Sequence, residues 1–466
     1  MPNQVNRREF LCLAVLSTAG LLTGIPGCSQ KSGQKPNIVL IYADDLGYGD
    51  LSCYGQTKFQ TPNIDRLAAE GMKFTQHYAG STVCAPSRCS LMTGLHTGHA
   101  QIRGNKEVQP EGQAPMQPNT VTIPTLLKKA GYVSGMFGKW GLGAPGSASD
   151  PMEFFDEFYG YNCQREAHNY YPGHLWHNRE KVALDGKTYS HDLILNAAKN
   201  FIRTNKNKPF FCYIPVTIPH ASMHAPKELH DKYREKFPQF DEITGKYSGP
   251  DVQNPVAAFP AMMEHLDDGV GEILELLKEA RLDENTLVIF TSDNGPHEEG
   301  GHNPAFWNSN GPLKGLKRDL YEGGIRVPFI ARWNGTIKPG TMSNHISAFW
   351  DMLPTFCEIA GIKTNEPSDG ISILPTLTGK SQKEHEYLYW EFTERGGKQA
   401  IRKGDFKAIR QNIFENPDAP VELYNLANDL GETKNIAGEN PQIMEEMAKL
   451  FQTARTESEV FPLISQ

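Results

Sequence analysis

Two apolar segments, far apart in the chain, each end in acidic side chains. Residues 37–43 lead into Asp44 and Asp45, and residues 287–291 lead into Asp293 and Asn294. Continuous apolar runs of this length are typical of parallel strands that are buried on both faces of a sheet. Ligands bind at the carboxyl ends of such strands in open α/β sheets. The chain is therefore predicted to be an α/β protein with a mostly parallel sheet and a site at that edge.

The polar side chains at the two strand ends suit a hard cation. Adjacent carboxylates such as Asp44 and Asp45 repel each other unless a cation lies between them. With Asp293 and Asn294 they offer three carboxylates and one amide, a good oxygen set for Ca²⁺. Taken alone, the Asp-Asp pair is equally compatible with a solvated turn before the glycines that follow. Of these two interpretations, a Ca²⁺ site and a solvated turn, we predict one Ca²⁺ site.

Length and charge set wide limits on function. With 466 residues the chain is long enough for one large α/β domain and a smaller one. A net charge of −8 gives no support to a nucleic-acid partner. An acidic protein that binds an anionic substrate must concentrate positive charge locally, so the basic residues in motifs matter more than the total.

The first 35 residues have the features of an export segment and tether. Arg7 and Arg8 precede an apolar run, residues 11–22, that is too short to span a bilayer. The start resembles a twin-arginine export signal, and residues 25–28 resemble a bacterial lipoprotein cleavage site with Cys28 as the acylated residue. We expect an exported bacterial protein, periplasmic or at the cell surface, attached to the membrane by an N-terminal lipid. Residues 36–380 are the predicted catalytic domain.

Cysteine usage predicts neither a disulfide framework nor a zinc site. Of eight cysteines, Cys12 and Cys28 lie in the export segment and Cys84 lies in a motif described next. The remaining five show no Cys-x-x-Cys spacing, and we expect most of them to be buried hydrophobic residues. These five are Cys53, Cys89, Cys163, Cys212 and Cys357.

Residues 84–94 are predicted to form a short helix. Pro86 suits its first turn, and Gly94 suits a left-handed C-terminal cap. Cys84 and Arg88 are four residues apart and share one face, with the sulfur at the positive end of the helix. From the residues alone, Cys84 is an activated thiol, a metal ligand or a buried side chain.

The segment Cys84-x-Pro-Ser-Arg-x-x-Leu-x-Thr-Gly94 resembles the signature of type I sulfatases at every fixed position. The resemblance implies the alkaline-phosphatase-like fold, with helices on both faces of the sheet. It also implies that a maturation enzyme converts Cys84 to formylglycine, whose hydrate is the nucleophile, and that Arg88 belongs to the site. In this family the two acidic strand ends and residue 84 hold the metal: Asp44, Asp45, Asp293, Asn294 and Cys84.

Residues 138–143 resemble a second family motif, Gly-Lys-Trp-His-Leu-Gly, and imply that Lys139 binds sulfate. The chain departs from the motif at Gly141, where many members have a histidine that contacts the hydrate. Two interpretations stay open: another residue such as His168 fills the gap, or the gap is open to substrate.

Two further motifs supply a histidine and a lysine. An apolar run at residues 209–216 is followed by His220 and His224, and the resemblance favours His220 as the one facing the ester. Residues 312–328 resemble the family segment Lys-x-x-x-Tyr-Glu-Gly-Gly-x-Arg-Val-Pro, which makes Lys317 the active-site lysine. Glu322 and Arg326 are predicted to form a structural ion pair.

Aromatic and polar residues between 159 and 177 lack the periodicity of a helix or strand. Such stretches wall a carbohydrate site or form a packed aromatic insert, and both interpretations stay open. His168 belongs to this stretch, and His302 and Trp307 form a similar candidate patch. With the export segment, these residues favour a sulfated glycan as substrate, and the family resemblance points weakly to galactose or N-acetylgalactosamine sulfates.

The C-terminal part is predicted to be a small antiparallel sheet with one helix, residues 381–466. Residues 386–392 alternate like a half-buried strand, residues 399–410 form a hairpin around residues 403–405, and a helix covers residues 441–453. Earlier in the chain, an amphipathic helix is expected over residues 262–281.

Three functions follow from these observations. The first is a calcium-dependent formylglycine sulfatase. The second is a phosphatase or phosphonate monoester hydrolase of the same superfamily, which would use two transition metals. The third is a non-catalytic glycan-binding surface lipoprotein, and the intact Cys84, Arg88 and metal ligands disfavour it.

Overall fold

The two acid-terminated runs lie side by side at the centre of a ten-stranded sheet. The structure, a computed structural model, describes residues 35–463. The first run is strand β1 (Asn37–Ala43), and it pairs in parallel with the strand Thr286–Ser292. In this register Ala43 lies opposite Ser292, so Asp44 and Asp293 leave the sheet at the same edge. The prediction from the two runs is confirmed.

The strands are short outside the centre of the sheet. In chain order they are β1 (Asn37–Ala43), β2 (Met72–Phe74), β3 (His77–Tyr78), β4 (Glu107–Val108), β5 (Gly112–Gln113), β6 (Val133–Lys139), β7 (Glu157–Tyr161), β8 (His174–His177), β9 (Glu180–Ala183), β10 (Phe210–Pro215), β11 (Thr244–Gly245), β12 (Val252–Gln253), β13 (Thr286–Ser292), β14 (Phe329–Arg332), β15 (Thr341–Ser343), β16 (Ser347–Ala348), β17 (Leu388–Phe392), β18 (Lys398–Lys403), β19 (Phe406–Arg410) and β20 (Val421–Asn425).

The large sheet has the strand order β15-β2-β14-β13-β1-β10-β6-β7-β8-β9. Its centre, from β13 to β7, is parallel, whereas β14 and the hairpin of β8 and β9 run antiparallel to their neighbours. The central strands are buried on both faces, as their apolar composition requires. The sheet is therefore mostly parallel, as predicted.

Helices cover both faces of this sheet. They are α1 (Pro62–Ala69), α2 (Cys84–Thr93), α3 (Ile123–Lys129), α4 (Pro151–Phe154), α5 (Ser190–Asn205), α6 (Lys227–Lys236), α7 (Pro255–Glu279), α8 (Pro304–Trp307), α9 (Glu322–Ile325), α10 (Met352–Ile359), α11 (Leu374–Leu377) and α12 (Pro441–Thr453).

Strand β1 shows how the two faces are built. Val39 and Ile41 belong to the core under α1, α5 and α7, whereas Ile38 and Leu40 belong to the core under α2, α3 and α10. Successive side chains of a strand point to opposite faces, so an all-apolar strand requires a helical layer on each side. The expected arrangement of helices on both faces is confirmed.

Helix α7 begins seven residues before the predicted start at Met262. Asn254 caps it: its side-chain oxygen accepts a hydrogen bond from the Ala257 N–H, and Pro255 occupies the first position. The residues of this first part are apolar on all sides and fully buried, so they show no helical stripe. The amphipathic pattern therefore marked only the second part of the helix.

The C-terminal strands form a four-stranded antiparallel sheet in the order β17-β18-β19-β20. The hairpin of β18 and β19 and helix α12 agree with prediction, but β17 is buried throughout rather than half-buried. Trp390 packs towards Tyr78, and Tyr389 packs towards Phe451 of α12. A sheet covered on both sides buries both sets of side chains.

Residues 35–463 belong to one compact unit, and the division between residues 380 and 381 stays a prediction. The export segment and Cys28 lie outside the described residues. Within residues 35–463, none of the helices combines the length and apolarity that crossing a membrane requires. All six cysteines in this part of the chain are free thiols.

Candidate active site

The two strand ends converge on one cluster of oxygen atoms. Asn294 donates a hydrogen bond from Nδ2 to Oδ1 of Asp45 at 2.7 Å, and the Asp45 N–H donates to Oδ1 of Asp293 at 2.9 Å. Oδ1 of Asp44 and Oδ1 of Asn294 are buried and have no hydrogen-bond partner among the described residues. Buried oxygens without a donor fit a cation, so this side-chain set suits Ca²⁺.

Cys84 is the first residue of α2 and lies beside this cluster. Gly94 ends the helix in the left-handed conformation, with φ at 71°, as the sequence predicts. The Sγ atom of Cys84 is 3.3 Å from Nζ of Lys139. Burial nevertheless raises the pKa of the thiol to about 12, because the nearby ammonium offsets only part of the desolvation. In the unmodified side chain, burial therefore favours the thiol over the thiolate.

Arg88, one turn along α2, ties the helix to both strand ends. Its Nη2 donates to Oδ2 of Asp293 at 3.0 Å and to Oδ2 of Asp44 at 3.3 Å. Its Nη1 donates to the carbonyl oxygen of Lys139 at 2.6 Å. The predicted sharing of one helix face by Cys84 and Arg88 therefore places both side chains at the acidic edge.

Lys139 is the last residue of β6 and reaches the same edge. Its Nζ donates to Oδ2 of Asp44 at 2.7 Å, and both side chains are buried. Burial alone would raise the pKa of Asp44, but the ammonium of Lys139 lowers it overall. Burial and the Asp44 carboxylate raise the pKa of Asp293 to about 8. Carboxylates crowded in this way favour a bound cation.

Lys317 and His220 form the other wall of the site. Nζ of Lys317 is 2.8 Å from Oδ2 of Asp45, 2.8 Å from Nε2 of His220 and 3.3 Å from Oε2 of Glu299. Burial and the Lys317 ammonium lower the pKa of His220 well below its ordinary value. A neutral His220 therefore accepts a hydrogen bond from Lys317 through Nε2, with its Nδ1–H directed at the Ala221 carbonyl.

The side chain of Gln164 lies where Gly141 lacks one. Gly141 has φ at 73°, and a Cβ atom there would lie 3.2 Å from Cγ of Gln164. Gln164 donates a hydrogen bond from Nε2 to Oδ1 of Asn105, which also accepts from the N–H of Ala85, next to residue 84. The side chain that packs beside Gly141 is thus that of Gln164.

Of the other predicted substrate residues, His168 lies at the site, whereas His224 and His302 make their contacts elsewhere. The ring of His168 stacks on the ring of His220, with centroids 4.4 Å apart and planes at 7°, so His168 lies at the site. His224 instead bonds the Pro250 carbonyl and packs near Tyr170. His302 lies against Phe259, away from residue 84 in its contacts, and lines a separate cavity.

The expectation for Trp307 is corrected. Its side chain is fully buried, and its ring packs against Phe59 and Phe237 at centroid distances of 5.6 and 5.0 Å. No part of the ring is available to a sugar. An aromatic residue after a motif looks the same in sequence whether it faces the core or the solvent, and only the packing decides.

Three residues at the site were not singled out from the sequence. Glu299 contacts Lys317 through one carboxylate oxygen and Arg318 through the other, at 3.3 and 2.6 Å. Tyr247 is 46% exposed, and its ring lies 5.2 Å from that of His168. Gln164 is the third. Glu299 follows the Asp-Asn motif closely enough to have been considered, whereas nothing local in the sequence distinguishes Tyr247.

The arrangement is built to hold a small anion. Arg88, Lys139 and Lys317 surround the position of residue 84 and the oxygen cluster, and all three are buried. Fixed cations in a site of low dielectric stabilise negative charge on a substrate far better than water does. A mostly parallel α/β sheet with such a site at its carboxyl edge fits a hydrolase of anionic esters.

Comparison with known proteins gives the family. The Sulfatase family model matches residues 36–362, and the model named N-sulphoglucosamine sulphohydrolase, C-terminal, matches residues 316–457. The chain belongs to the sulfatase family and is a sulfuric ester hydrolase. The second match spans the Lys317 segment and the four-stranded sheet.

Similar proteins cover nearly the whole chain. An N-acetylgalactosamine-6-O-sulfatase of Bacteroides thetaiotaomicron is 31% identical over 95% of this chain and 98% of its own length. The human N-acetylgalactosamine-6-sulfatase is 32% identical over 92% of this chain and 82% of its own. Among solved structures, Ps i-CgsB in complex with k-i-k-neocarrahexaose aligns with a TM-score of 0.76 at 29% identity, covering 91% of this chain and 93% of that one.

Proposed function

We propose that this sulfatase removes sulfate from an O-sulfated carbohydrate, a galactose or N-acetylgalactosamine sulfate, with formylglycine at position 84 and one Ca²⁺. The names of the similar proteins support the substrate class: one is an N-acetylgalactosamine-6-O-sulfatase, one is an N-acetylgalactosamine-6-sulfatase, and one is described in complex with k-i-k-neocarrahexaose. The observation that carries the proposal is the convergence of Cys84, Arg88, Lys139 and Lys317 on the acidic strand ends.

Two groups supply chemistry that the ordinary side chains lack. Formylglycine provides a hydrated aldehyde with two hydroxyl groups, one to attack sulfur and one to allow release of sulfate. Asp44, Asp45, Asp293 and Asn294 would hold a Ca²⁺ next to residue 84, and the ion would neutralise charge on the sulfate oxygens. Burial raises the pKa of the Cys84 thiol to about 12, so the unmodified residue is expected to be a poor nucleophile.

The cationic side chains bind and orient the sulfate group. Arg88 is held by Asp44, Asp293 and the Lys139 carbonyl, so its position is set before substrate arrives. Lys139 and Lys317 approach residue 84 and the oxygen cluster from separate strands and loops. Groups fixed in this way stabilise charge in the transition state without having to reorganise.

Lys317 is the proposed proton donor to the leaving oxygen. Neutral His220 accepts a hydrogen bond from it and so directs the ammonium into the site. Burial opposes the charge of Lys317, but Asp45 and Glu299 raise its pKa well above the ordinary value. His220 is thereby a positioning residue in this proposal, and Lys317 carries the proton.

The mouth of the site suits a sugar ring. The exposed ring of Tyr247 lies beside the stacked pair of His168 and His220, at 5.2 and 5.8 Å. An exposed aromatic face next to polar groups is a common platform for carbohydrate. These three side chains support a glycan substrate over a simple aryl sulfate.

The first experiment tests residue 84. The protein is produced together with a formylglycine-generating or other maturation enzyme, and the peptide that contains residue 84 is analysed by mass spectrometry. We expect the aldehyde in place of the thiol, and sulfate release from a panel of sulfated galactose and N-acetylgalactosamine saccharides. Cys84→Ala is expected to lose at least about a thousandfold in kcat/KM. Cys89→Ala, in the same helix, is the control that keeps activity.

Metal analysis tests the cation. One Ca²⁺ per chain is expected, with activity lost on chelation and restored by Ca²⁺. Two bound transition metals, with faster turnover of phosphate or phosphonate esters than of sulfate esters, would contradict the proposal and favour the second function.

Location in the cell is a separate proposal. The export and lipoprotein motifs support a periplasmic or cell-surface protein anchored by a lipid on Cys28. Cys28→Ser is expected to move the protein from the membrane fraction to the soluble fraction in the native type of host. A wild-type protein recovered in the soluble fraction would contradict the anchor.

A further inference from the structure

His297 lies behind the wall of the active site that Lys317 and His220 form. It is 1% exposed, so it does not reach the substrate, and the chemistry described above gives it no part. Its ring faces that of His220, with centroids 5.4 Å apart and planes at 24°. It follows Asn294 on the loop that leaves strand β13. The groups that its two ring nitrogens contact indicate its role.

Both ring nitrogens of His297 are engaged with the backbone. Nδ1 accepts a hydrogen bond from the N–H of Glu299 at 3.0 Å, and Nε2 lies 3.3 Å from the carbonyl oxygen of Pro219. An N–H that points at Nδ1 requires a lone pair there, so the ring proton is on Nε2 and is donated to that carbonyl. The two contacts together set the tautomer and the orientation of the ring.

The engaged nitrogens disfavour a metal-binding role for His297. Ligand atoms of Asp45, His297 and Glu299 lie within 4.8 Å of one another, close enough to share a metal ion. A histidine binds a metal through a ring lone pair, and in this tautomer the lone pair already accepts from the Glu299 N–H. The role of His297 therefore concerns the backbone that it binds.

The two backbone segments that His297 joins carry two neighbours of the Lys317 ammonium. Nζ of Lys317 lies 2.8 Å from Nε2 of His220, which follows the bound carbonyl, and 3.3 Å from Oε2 of Glu299. The N–H of Lys317 itself donates to the carbonyl oxygen of Pro296, next to His297, at 2.9 Å. One ring therefore links the segments that place the lysine, its imidazole acceptor and a carboxylate partner.

We infer that His297 is a positioning residue for Lys317, and that its two hydrogen bonds keep the lysine's ammonium directed at the ester. It acts through His220 and Glu299 and touches neither the substrate nor the reacting atoms. A displacement of about 1 Å in a catalytic group can cost a hundredfold in rate, so contacts behind the site are sufficient to matter. The inference rests on the proposed function, in which Lys317 serves the leaving oxygen.

Two substitutions of His297 are matched with one of the neighbouring ring. His297→Phe keeps an aromatic ring against His220 and removes both nitrogens. His297→Asn removes the ring but keeps an acceptor for the N–H two residues further on, as asparagine does in an Asx turn. His302→Phe is the control. The His302 ring lies 5.0 Å from that of His297, and its nitrogens have no hydrogen-bond partner among the residues that the structure describes.

The measurement is a double-mutant cycle with Lys317→Met on the mature enzyme. Phenyl sulfate is the test ester, because phenol is a poorer leaving group than 4-nitrophenol and the assay needs only the sulfatase activity of the family. His297→Phe is expected to lower kcat on phenyl sulfate by about 10–100-fold, and to have no further effect once Lys317→Met is present. His302→Phe should match wild type, and His297→Asn should fall between wild type and His297→Phe.

Three results would overturn the inference. A further loss of the same size when His297→Phe is added to Lys317→Met would mean that His297 acts on another group. An equal loss in His302→Phe would mean that ring packing matters and the hydrogen bonds do not. Wild-type kcat in a folded His297→Phe would mean that Lys317 needs no such support. Urea denaturation checks folding, and if His297→Phe is unfolded, His297→Asn takes its place in the cycle under the same criteria.

The cycle is independent of the proposed function. The losses that Lys317→Met causes on phenyl sulfate and on 4-nitrophenyl sulfate test proton donation, and cleavage of the sugar panel tests the substrate. Coupling between His297 and Lys317 supports the positioning role even if those two losses are equal and no sugar in the panel is cleaved. Additive effects of the two substitutions overturn it even if the panel is cleaved.

Discussion

The protonation state of Lys317 depends on its neighbours. Asp45 and Glu299 hold it charged, and His220, kept neutral by burial and by Lys317 itself, accepts one of its hydrogen bonds. Two basic groups 2.8 Å apart cannot both carry a proton cheaply, and we therefore propose that the lysine carries it. The choice between His220 and Lys317 as proton donor was open from the sequence.

Replacing Lys317 by methionine tests this assignment. A sugar is a poor leaving group and needs a proton, whereas 4-nitrophenol leaves readily without one. Lys317→Met is therefore expected to reduce kcat on a sulfated sugar by about 10²–10⁴-fold and to reduce it much less on 4-nitrophenyl sulfate. Steady-state kinetics on the two substrates measures the difference. Equal losses would mean that Lys317 contributes charge and binding but no proton.

At the scale of elements, helix α2 sets the position of residue 84. The helix presents Cys84 at its start and Arg88 one turn later, and its end is fastened by the segment around Asp369. The N–H of Asp369 and the hydroxyl of Ser368 both donate to the Gly94 carbonyl, at 2.9 and 3.0 Å. A short helix whose end is fastened in this way keeps the residue at its start in a defined position.

Gly94 makes this fastening possible and gives a matched test. Gly94 and Gly379 both have φ near 70°, so alanine at either position carries the cost of the left-handed conformation, about 1 kcal/mol. At Gly94 the new Cβ also meets Leu353 and Ser368 at 2.9 Å, whereas nothing lies within 4 Å at Gly379.

Gly94→Ala is therefore expected to lower the free energy of unfolding by about 1–3 kcal/mol more than Gly379→Ala. Urea titration of the two variants beside wild type measures this difference. Equal destabilisation would show that the end of α2 can relax, and that the tight packing there is not needed to hold the helix.

At the scale of the whole molecule, buried ion pairs connect the four-stranded sheet to the segment that contains Lys317 and Glu322. Lys407 of β19 lies 2.9 Å from Glu322 and 3.0 Å from Glu432, and all three side chains are fully buried. Glu322 also pairs with Arg326 at 3.1 Å, which confirms the predicted structural ion pair. Removing one member of such a network leaves a buried charge unpaired, so the network holds the two parts of the chain in one arrangement.

The network makes stability depend on pH. Burial raises the pKa of Glu432 to about 7, from an ordinary value of 4.5, because Lys407 offsets only part of the desolvation and Glu322 adds repulsion. The folded protein thus binds this proton more tightly than the unfolded chain does. The stabilising contribution is present below about pH 4.5 and is lost as the pH rises to about 7.

Glu432→Gln is expected to remove this contribution, so that the variant loses less stability than wild type between pH 4.5 and 7. Urea denaturation at several pH values measures the slope. Glu439→Gln, which changes an exposed carboxylate paired with Lys434, is the control and should follow wild type. A Glu432→Gln slope identical to that of wild type would show that Glu432 is ionised throughout this range.

Much of the fold and part of the site followed from local sequence. The apolar runs before Asp44 and Asp293, and the Pro86 and Gly94 limits of α2, predict elements whose bounds the structure matches closely. These features depend on residues a few positions apart, and the periods of strands and helices expose them directly. The acidic edge of the sheet could then be predicted as well, because parallel strands run in the same direction and their carboxyl ends lie at the same edge.

Tertiary structure alone decided the rest. Gln164 beside Gly141, Glu299 between Lys317 and Arg318, and the burial of Trp307 all join segments that are far apart in the chain. A side chain's partners, its exposure and its pKa depend on what packs against it from elsewhere, and no local pattern records that. The sequence by itself determined the central parallel strands, the short helix that begins at Cys84 and the acidic strand ends. The arrangement of everything around them came from long-range packing.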